Sequence, residues 1–330
     1  MAAFKVVIAD QPAADHDVEA ATLAASGLRL EAVWLAGRDA DRVAEYAADA
    51  DALVMSWTPV TRLLITQLRR CRVIARFGIG VDMIDLDAAT ERGILVCNTA
   101  TYCLDEVSNH AMGLLLMLNR GLLQDIDAVR AGGWFRASGT PPRRLHGQRL
   151  GLVGLGNIGR LVARKARGFG LDVVAYDPYL RREQTHVDGI SLIDLDELLE
   201  SADIVSVHCP LNDSTRHLLG ARELGRMKAS AFLINTSRGP VVDQAALTSA
   251  LAERRLAGAG LDVFETEPLP VDDPLRALDN VILTPHSASW SVESSAECRR
   301  VALEHVVTVL RGGVPTDVVN RAVLERVHAG

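Results

Sequence analysis

Long apolar runs are missing from this sequence of 330 residues. The longest run, at positions 114–118, is far shorter than the roughly 18–20 apolar residues that a membrane-spanning helix needs. Asp10 follows the first apolar run too closely to leave room for the hydrophobic region of a signal peptide. These features predict a cytoplasmic protein that does not bind membranes.

Cysteine is sparse, and no two cysteines have the CxxC spacing. An odd number of dispersed cysteines indicates neither a disulfide framework nor a zinc site. We therefore expect no metal and interpret the thiols as reduced and mostly buried. The five residues are Cys71, Cys97, Cys103, Cys209 and Cys298.

A strongly basic segment is also absent. The chain has 35 Lys and Arg residues against 42 Asp and Glu residues, which gives a net charge of −7. Its basic residues are scattered, so no continuous positive face is predicted for a nucleic-acid backbone. Apolar residues make up 48% of the chain, which excludes disordered and collagen-like proteins. The length suits about two globular domains.

Short apolar segments alternate with helix-like segments along most of the chain. Candidate strands in the first hundred residues are 5–9, 52–55, 73–75 and 93–97, with a helix at 39–49. A second series has candidate strands at 150–153, 172–176, 204–207, 231–235, 258–263 and 281–284. This alternation predicts an α/β fold with parallel sheets covered on both faces. The six strands of the second series are predicted to make a complete dinucleotide-binding sheet.

One long helix is predicted between the two series, at positions 104–120. It has too many apolar residues for a solvated surface helix, so we expect it to pack between domains or subunits. The segment after residue 290 contains one helix, at 293–311, and is too short to form a domain alone. We expect this segment to fold onto the first domain.

A GxGxxG motif follows the first strand of the second series and precedes a helical pattern. It consists of Gly154, Gly156 and Gly159, with Asn157 and Ile158 between the last two glycines. The first glycine permits a tight turn, the second lets a pyrophosphate approach the backbone, and the third lets the helix pack on the strand. The N-terminus of that helix would then attract the phosphates. The alternative, a glycine-rich turn of an unrelated α/β fold, is disfavoured by this context.

Asp177 ends the next predicted strand, about 20 residues after the glycines. A carboxylate at this position accepts hydrogen bonds from the hydroxyls of the adenosine ribose, and it repels a 2′-phosphate. NAD(H) is therefore the predicted cofactor. NADP(H) is the less favoured alternative, kept open by Arg181 and Arg182 nearby in the sequence.

Polar segments that contain Arg238, Glu267 and His286 follow the last three strands of the second series. Ligands of open α/β sheets bind at the carboxyl ends of strands, so these side chains are expected to converge near the glycine motif. Histidine titrates near neutral pH, which makes His286 the candidate general acid/base. Glu267 would orient the imidazole, and Arg238 would bind a substrate carboxylate and polarise the adjacent carbonyl. Each residue alone has a purely structural alternative, but their joint placement favours an active site.

The segments around these residues resemble the D-isomer-specific 2-hydroxyacid dehydrogenase family, which includes phosphoglycerate, glyoxylate/hydroxypyruvate and D-lactate dehydrogenases. The resemblance implies a Rossmann NAD-binding domain inserted into a flavodoxin-like substrate-binding domain. Residues 1–100 plus 291–330 would form the substrate-binding domain and residues 101–290 the NAD-binding domain, with helix 104–120 serving a homodimer. The segments that carry the resemblance are ARFGIGVDMIDLDAATERGILVCNT, EVSNHAMGLLL, GLVGLGNIG, YDP, HCPLNDSTRHLL, LINTSRGPVVD, GLDVFETEP, TPHSA and VVN.

The resemblance implies the activity of an NAD-dependent D-2-hydroxyacid dehydrogenase (EC 1.1.1.-), with a small 2-hydroxy or 2-oxo acid as substrate. It makes Arg238 the substrate-binding arginine, Glu267 the acid partner and His286 the general acid/base. Further residues are implied to line the cofactor, with Asp262 at the nicotinamide carboxamide. They are His208, Cys209, Pro210, Thr236, Ser237 and Asp262, together with Arg238 and His286.

The resemblance also implies substrate contacts in the first hundred residues. The backbone N–H groups of Ile79 and Gly80 would hold the substrate carboxylate. Arg76 matches an arginine of phosphoglycerate dehydrogenases and could meet a second anionic group. His110, on the long helix, is interpreted as a packing or interface residue.

The substrate itself is not predicted, because the segments that differ from the family pattern alter the walls of the site. Met83 stands where the family usually has Asn, and the segment from Ser287 to Trp290 replaces the common IGG or IAG. Arg136, Arg143 and Arg144 have no predicted place. Two alternatives stay open: an NAD(H)-sensing protein like the carboxyl-terminal binding corepressors, and a dehydrogenase of another small anion such as a phosphonate or phosphite. Formate oxidation is disfavoured, because related formate dehydrogenases pair the histidine with glutamine.

Overall fold

The computed structural model describes residues 3–10, 15–134, 141–180 and 185–327. The chain divides into two compact units. Unit 1 comprises Met1–Tyr102 and Ser291–Gly330, and unit 2 comprises Cys103–Trp290. No helix in these described ranges is both long enough and apolar enough to cross a bilayer.

The strands and helices follow one another through both units. The strands are β1 (Phe4–Ala9), β2 (Leu30–Leu35), β3 (Ala52–Met55), β4 (Val73–Arg76), β5 (Leu95–Cys97), β6 (Arg149–Val153), β7 (Asp172–Tyr176), β8 (His186–Val187), β9 (Ile190–Leu192), β10 (Ile204–Val207), β11 (Phe232–Asn235), β12 (Gly258–Leu261) and β13 (Val281–Leu283). The helices are α1 (Asp17–Ala25), α2 (Ala40–Ala47), α3 (Arg62–Gln67), α4 (Leu86–Glu91), α5 (Leu104–Arg120), α6 (Leu122–Arg130), α7 (Asn157–Gly168), α8 (Leu195–Ser201), α9 (Ala221–Leu224), α10 (Gln244–Ala252), α11 (Val292–Leu310) and α12 (Val323–Val327).

Unit 1 is built on a parallel sheet with the strand order β2-β1-β3-β4-β5. Alternate residues of β1 enter different cores: Val6 and Ile8 join the core that includes α11, whereas Val7 and Ala9 join the core beside α2. Both faces of the sheet are therefore covered, as its near-continuous apolar strands predict. This order is the flavodoxin-like one, which confirms the predicted fold class.

Unit 2 is built on a sheet with the order β13-β12-β11-β10-β6-β7-β9-β8. The six predicted strands are present. The prediction that they complete the sheet is wrong, because β8 and β9 extend it beyond β7, with β8 antiparallel to β9. The order reverses between β6 and β10, where doubly wound sheets bind their ligands.

Helix α5 has the bounds predicted from the sequence, Leu104–Arg120. It ends at Gly121, whose φ of 60° is a left-handed conformation that stops the helix. Its apolar side packs against α7, β11 and β12 within unit 2. Gly260 on β12 allows this approach, since a Cβ there would lie 2.9 Å from the Cβ of Leu114. Packing within unit 2 therefore accounts for much of the apolar surface of α5.

Candidate active site

The glycine motif forms a tight loop between β6 and α7. Gly154 has a φ of 99°, and a Cβ there would lie 2.8 Å from the backbone nitrogen of Cys209. A Cβ on Gly159 would lie 2.5 Å from the carbonyl oxygen of Gly154. A Cβ on Gly156, in contrast, would have nothing within 4 Å. The first and third glycines are thus needed for packing, while the second leaves open space at the N-terminus of α7.

Asp177 follows β7 and is tied to this loop. Its Oδ2 accepts the N–H of Leu155 at 3.0 Å, and its Oδ1 accepts the N–H groups of Tyr179 and Leu180 at 3.1 and 3.3 Å. A carboxylate has about four acceptor positions, so one remains for a further donor. Arg181 and Arg182, the basis of the NADP(H) alternative, lie outside the described residues.

The segment after β10 faces the glycine loop and carries no charge there. His208 bonds through Nε2 to the Oγ of Ser206 at 2.8 Å, and burial lowers its pKa to about 4. Burial also raises the pKa of the Cys209 thiol to about 11. Both side chains are therefore neutral at pH 7. Pro210, the next residue, is exposed.

The segment after β11 is folded around Asn235. The Asn235 Oδ1 accepts both the N–H and the hydroxyl of Ser237 at 3.0 and 2.9 Å, and its Nδ2 donates to the carbonyl of Arg238 at 2.9 Å. Gly239 packs so closely on the next loop that a Cβ would lie 1.9 Å from the carbonyl carbon of Phe264. The half-buried Arg238 is therefore held on a rigid turn.

Glu267 and His286 form a hydrogen-bonded pair on the segments that follow β12 and β13. The Nδ1 of His286 lies 2.7 Å from Oε2 of Glu267, and the Oε1 of Glu267 accepts the N–H of Phe264 at 2.9 Å. Partial burial raises the pKa of the Glu267 carboxyl, but His286, the Phe264 N–H and the charge of Arg238 together outweigh it, so the pKa is lowered. The carboxylate is thus ionised at neutral pH and can only accept, which places a proton on Nδ1 of the imidazole.

Asp262 lies beneath the segment that carries His286 and is fully buried. Its Oδ1 accepts the hydroxyl of Thr284 at 2.6 Å and the N–H of Ser287 at 3.0 Å, while its Oδ2 accepts the N–H of Ala288 at 2.9 Å. These bonds fix the turn on which the imidazole stands. The implied contact of Asp262 with the nicotinamide carboxamide stays a prediction.

The residues of unit 2 fit a dinucleotide. Open space above Gly156 lies at the N-terminus of α7, where Asn157 and Ile158 begin the helix. On the segment after β11, the buried hydroxyl of Thr236 has no hydrogen-bond partner in the described part of the chain. A buried polar atom without a partner is costly, and a bound cofactor that supplies one removes that cost.

The predicted substrate residues Arg76, Ile79 and Gly80 lie in unit 1, at and after the end of β4. The Nδ2 of Asn98 donates to the carbonyl of Ile79 at 2.6 Å. Within the described ranges, the N–H groups of Ile79 and Gly80 donate no hydrogen bond. Two adjacent N–H groups of this kind suit a carboxylate.

Comparison with known proteins identifies the family. A family model described as "D-isomer specific 2-hydroxyacid dehydrogenase, NAD binding domain" matches residues 112–288, more than half of the chain. The chain belongs to the D-isomer-specific 2-hydroxyacid dehydrogenase family. NAD is therefore its cofactor, which confirms the prediction.

Relatives within this family bear several names. A glyoxylate reductase of Korarchaeum cryptofilum is 41% identical over 288 residues, which is 86% of each chain. A D-3-phosphoglycerate dehydrogenase of Methanocaldococcus jannaschii is 40% identical over 286 residues, 86% of this chain but 54% of that protein. Among solved structures, the D-lactate dehydrogenase from Aquifex aeolicus complexed with NAD and lactic acid has a TM-score of 0.84 at 28% identity, covering 98% of both chains.

One residue of this site, His110, was not predicted from the sequence to take part in it. His110 on α5 lies with its Nε2 3.0 Å from the Oγ1 of Thr284 and 3.5 Å from the Oδ1 of Asp262. It therefore extends the hydrogen-bond network beneath the imidazole and does more than pack. Its segment, EVSNHA, carries the family resemblance, and that was the available signal.

Among the described residues, the others that the sequence left unplaced form none of the side-chain contacts described above. Met83 packs against a core of unit 1, and Trp290 is exposed at the end of unit 2. Arg143 bonds through Nη1 to the Oγ of Ser230 at 3.4 Å. The carbonyl of Arg144 accepts the Gln148 amide at 2.9 Å. Arg136 lies outside the described residues.

Proposed function

We propose that the protein is an NAD(H)-dependent D-2-hydroxyacid dehydrogenase that reduces a small 2-oxo acid and oxidises the corresponding 2-hydroxy acid. The observation that carries this proposal is the 2.7 Å contact between His286 and Glu267. The pair stands at the carboxyl edge of the NAD-binding sheet, the edge at which doubly wound folds bind ligands.

His286 acts as the general acid/base in this proposal. The ionised Glu267 holds Nδ1–H, which leaves Nε2 to exchange a proton with the substrate oxygen. The negative charge of Glu267 also stabilises the doubly protonated ring that reduction requires. In reduction, Nε2 gives its proton to the carbonyl oxygen, and in oxidation it takes the hydroxyl proton back.

Arg238 binds the substrate in this proposal. Its guanidinium can donate two parallel hydrogen bonds to a carboxylate or stabilise the negative charge that develops on the carbonyl oxygen. The N–H groups of Ile79 and Gly80 hold the substrate carboxylate, as the family resemblance implies.

The cofactor, when bound, supplies or accepts the hydride. The chain contributes the loop of Gly154, Gly156 and Gly159 for the pyrophosphate and Asp177 for the adenosine ribose. His208, Cys209, Pro210, Thr236 and Ser237 line the remainder. Because His208 and Cys209 are neutral, they add no charge that would compete with the acid/base pair.

The test is an NADH-oxidation assay with glyoxylate, hydroxypyruvate and pyruvate, on the unmodified protein and on His286→Ala. We expect the variant to bind NADH with little change, measured by NADH fluorescence, and to lose at least 1,000-fold in kcat, on the order of the loss when a catalytic base is removed. His217→Ala is the matched control, because His217 forms a similar pair with Glu265 at 2.7 Å.

Three outcomes would contradict the proposal. Full activity of His286→Ala would remove His286 from the chemistry. Tight NADH binding by the unmodified protein without reduction of any 2-oxo acid would favour an NAD(H)-sensing protein. Turnover with phosphite or a phosphonate alone would instead favour the alternative anion.

We also propose a homodimer formed through unit 2. Helix α6 has no buried residue among those described, and Leu122, Ile126 and Val129 are 40%, 40% and 54% exposed. Their spacing of four and three residues places them on one face of the helix, a pattern typical of an apolar surface covered by another chain. Light scattering should give a dimeric mass that falls to the monomer in Ile126→Glu. A monomeric unmodified protein would refute the proposal.

A further inference from the structure

A tryptophan with two arginine neighbours lies at the carboxyl edge of the sheet of unit 1. Trp57 follows β3, Arg38 follows β2, and Arg76 ends β4. The guanidinium carbons of Arg38 and Arg76 lie 5.3 and 5.4 Å from the centre of the indole ring. Both distances are within the range of a cation–π contact. These three residues are called the Trp57 cluster below.

The loop that presents Trp57 is fixed by a buried carboxylate. Asp10, at the end of β1, accepts the backbone N–H groups of Ser56, Trp57 and Thr58 at 2.7, 2.5 and 2.6 Å. Hydrogen bonds to a charged acceptor are stronger than neutral ones, and Asp10 is only 8% exposed. The indole is therefore held in place before any ligand arrives.

The two arginines of the Trp57 cluster differ in whether a ligand can reach them. Arg76 is 3% exposed, and its Nε donates to the carbonyl of Ser56 at 3.1 Å. It approaches the backbone so closely that a Cβ on Gly78 would lie 2.5 Å from its Nη1. Arg76 therefore supports the loop from inside the fold.

Arg38 is on the surface, where a ligand can reach it. Its guanidinium forms no ion pair with any residue in the described ranges. The indole face of Trp57 keeps this cation at the sheet edge. In the same unit, β4 leads from Arg76 to the N–H groups of Ile79 and Gly80 that the proposed function gives to the substrate carboxylate.

We propose that Arg38, held on Trp57, binds a second anionic group of the substrate, and that Arg76 does not. The inference rests on the proposed function and names the substrate class: 2-oxo and 2-hydroxy acids with a carboxylate or phosphate at the end away from the reacting carbon. Arg38 is thus a specificity-determining residue, with Trp57 and Arg76 as positioning residues.

The test compares kcat/KM for acids that differ at the distal end. The probes are 2-oxoglutarate, with a distal carboxylate, 3-phosphohydroxypyruvate, with a distal phosphate, and 2-oxohexanoate, which ends in a methyl group. We expect the unmodified protein to prefer at least one dianionic probe to 2-oxohexanoate. Arg38→Gln should reduce that preference about tenfold, the effect of one charge-assisted hydrogen bond. The probe whose preference falls identifies carboxylate or phosphate as the recognised group.

Arg42→Gln is the matched control. Arg42 is also exposed and also stacks on an aromatic ring, with its guanidinium carbon 5.9 Å from the ring centre of Tyr46, so the same change of charge should leave the preference unaltered. Trp57→Leu should reduce the preference as Arg38→Gln does.

The outcomes separate this inference from the proposed function. If the unmodified protein reduces 2-oxo acids but shows no dianion preference, or one that Arg38→Gln leaves intact, only the role of Arg38 is refuted. If no 2-oxo acid is reduced, the proposed function fails and this inference fails with it.

Discussion

His286 and Glu267 are joined at 2.7 Å, and the same distance separates His217 from Glu265, two residues earlier on the same loop. Only the first pair has its second carboxylate oxygen bonded to the backbone of its own loop, at Phe264. These two histidine–carboxylate contacts have the same length, and one stands at the end of β13 while the other lies beside α10.

Removing the charge of Glu267 should change the pH dependence of catalysis. An ionised carboxylate stabilises the positive charge of the imidazole when both ring nitrogens carry a proton, and Glu267→Gln removes this stabilisation. We expect kcat for 2-oxo acid reduction to fall roughly tenfold or more and to depend differently on pH. The measurement is kcat against pH from 5 to 10.

Glu265→Gln is the control for this experiment, because it disrupts the second pair with the same chemical change. Its pH profile should coincide with that of the unmodified protein. Since the pKa of Glu267 is lowered from its ordinary value of 4.5, the carboxylate stays ionised across the whole range tested. Identical pH profiles of kcat for Glu267→Gln and Glu265→Gln would show that the Glu267 carboxylate does not affect the proton that His286 transfers.

Asp177 should determine the choice between the two nicotinamide cofactors. Its charge disfavours a 2′-phosphate, and Asn can still accept the N–H of Leu155 that Asp177 binds at 3.0 Å. We expect Asp177→Asn to reduce the ratio of kcat/KM with NADH to that with NADPH at least tenfold. Asp172→Asn, at the start of β7 and in an exposed ion pair with Arg149, should leave the ratio unchanged. An unaltered ratio in Asp177→Asn would place the selection elsewhere.

Two glycines of α7 should respond oppositely to alanine. A Cβ on Gly159 would lie 2.5 Å from the carbonyl oxygen of Gly154, whereas one on Gly168 meets nothing within 4 Å. Overpacking costs about 1–3 kcal/mol, so Gly159→Ala should lower Tm and weaken NADH binding at least tenfold. Gly168→Ala should be neutral or raise Tm slightly, because alanine favours helix. Calorimetry and NADH titration measure both effects, and equal behaviour of the two variants would refute this account of the loop.

His208 should make the NAD-free protein less stable in acid. Burial lowers its pKa to about 4 from an ordinary 6.5, so between these values the unfolded chain binds a proton that the folded protein does not. The free energy of unfolding therefore decreases as the pH falls through this window, by about 1–2 kcal/mol at pH 5. His208→Asn should reduce the Tm difference between pH 7 and pH 5 by a few degrees. The exposed His186→Asn should not, and a reduction of equal size in both variants would rule out His208 as the cause.

The strands that are predictable from sequence are those whose side chains are buried on both faces. The run at 204–207 coincides with β10 for this reason. β2 was missed because it is an edge strand with an exposed Glu31 and only Leu35 buried. β8 and β9 were missed because two and three residues are too few to show a period.

For the site, the chemical role of a single residue can be predicted from its type. The hydrogen bonds that hold that residue in place cannot. Histidine near a carboxylate and an arginine suggests proton exchange from residue types alone. The burial of Asp262, with its contacts to Thr284 and Ala288, depends on packing between segments more than 20 residues apart. His110 and Thr284 are in contact although they are 174 positions apart in the sequence. This contact likewise depends on where α5 lies against the sheet, and no local sequence pattern encodes that position.

Unit 1 is assembled from segments that the ribosome makes at different times. Val96 donates its N–H to the Oδ1 of Asn320 at 2.8 Å, and α11 packs against β4 and α1. At ordinary rates of translation, the unit 2 residues in between take roughly 10–40 s to synthesise. During that interval, one face of the first sheet lacks the helix that will cover it, so we expect the nascent chain to depend on chaperones. We therefore expect the middle of this protein to complete its fold before its beginning does.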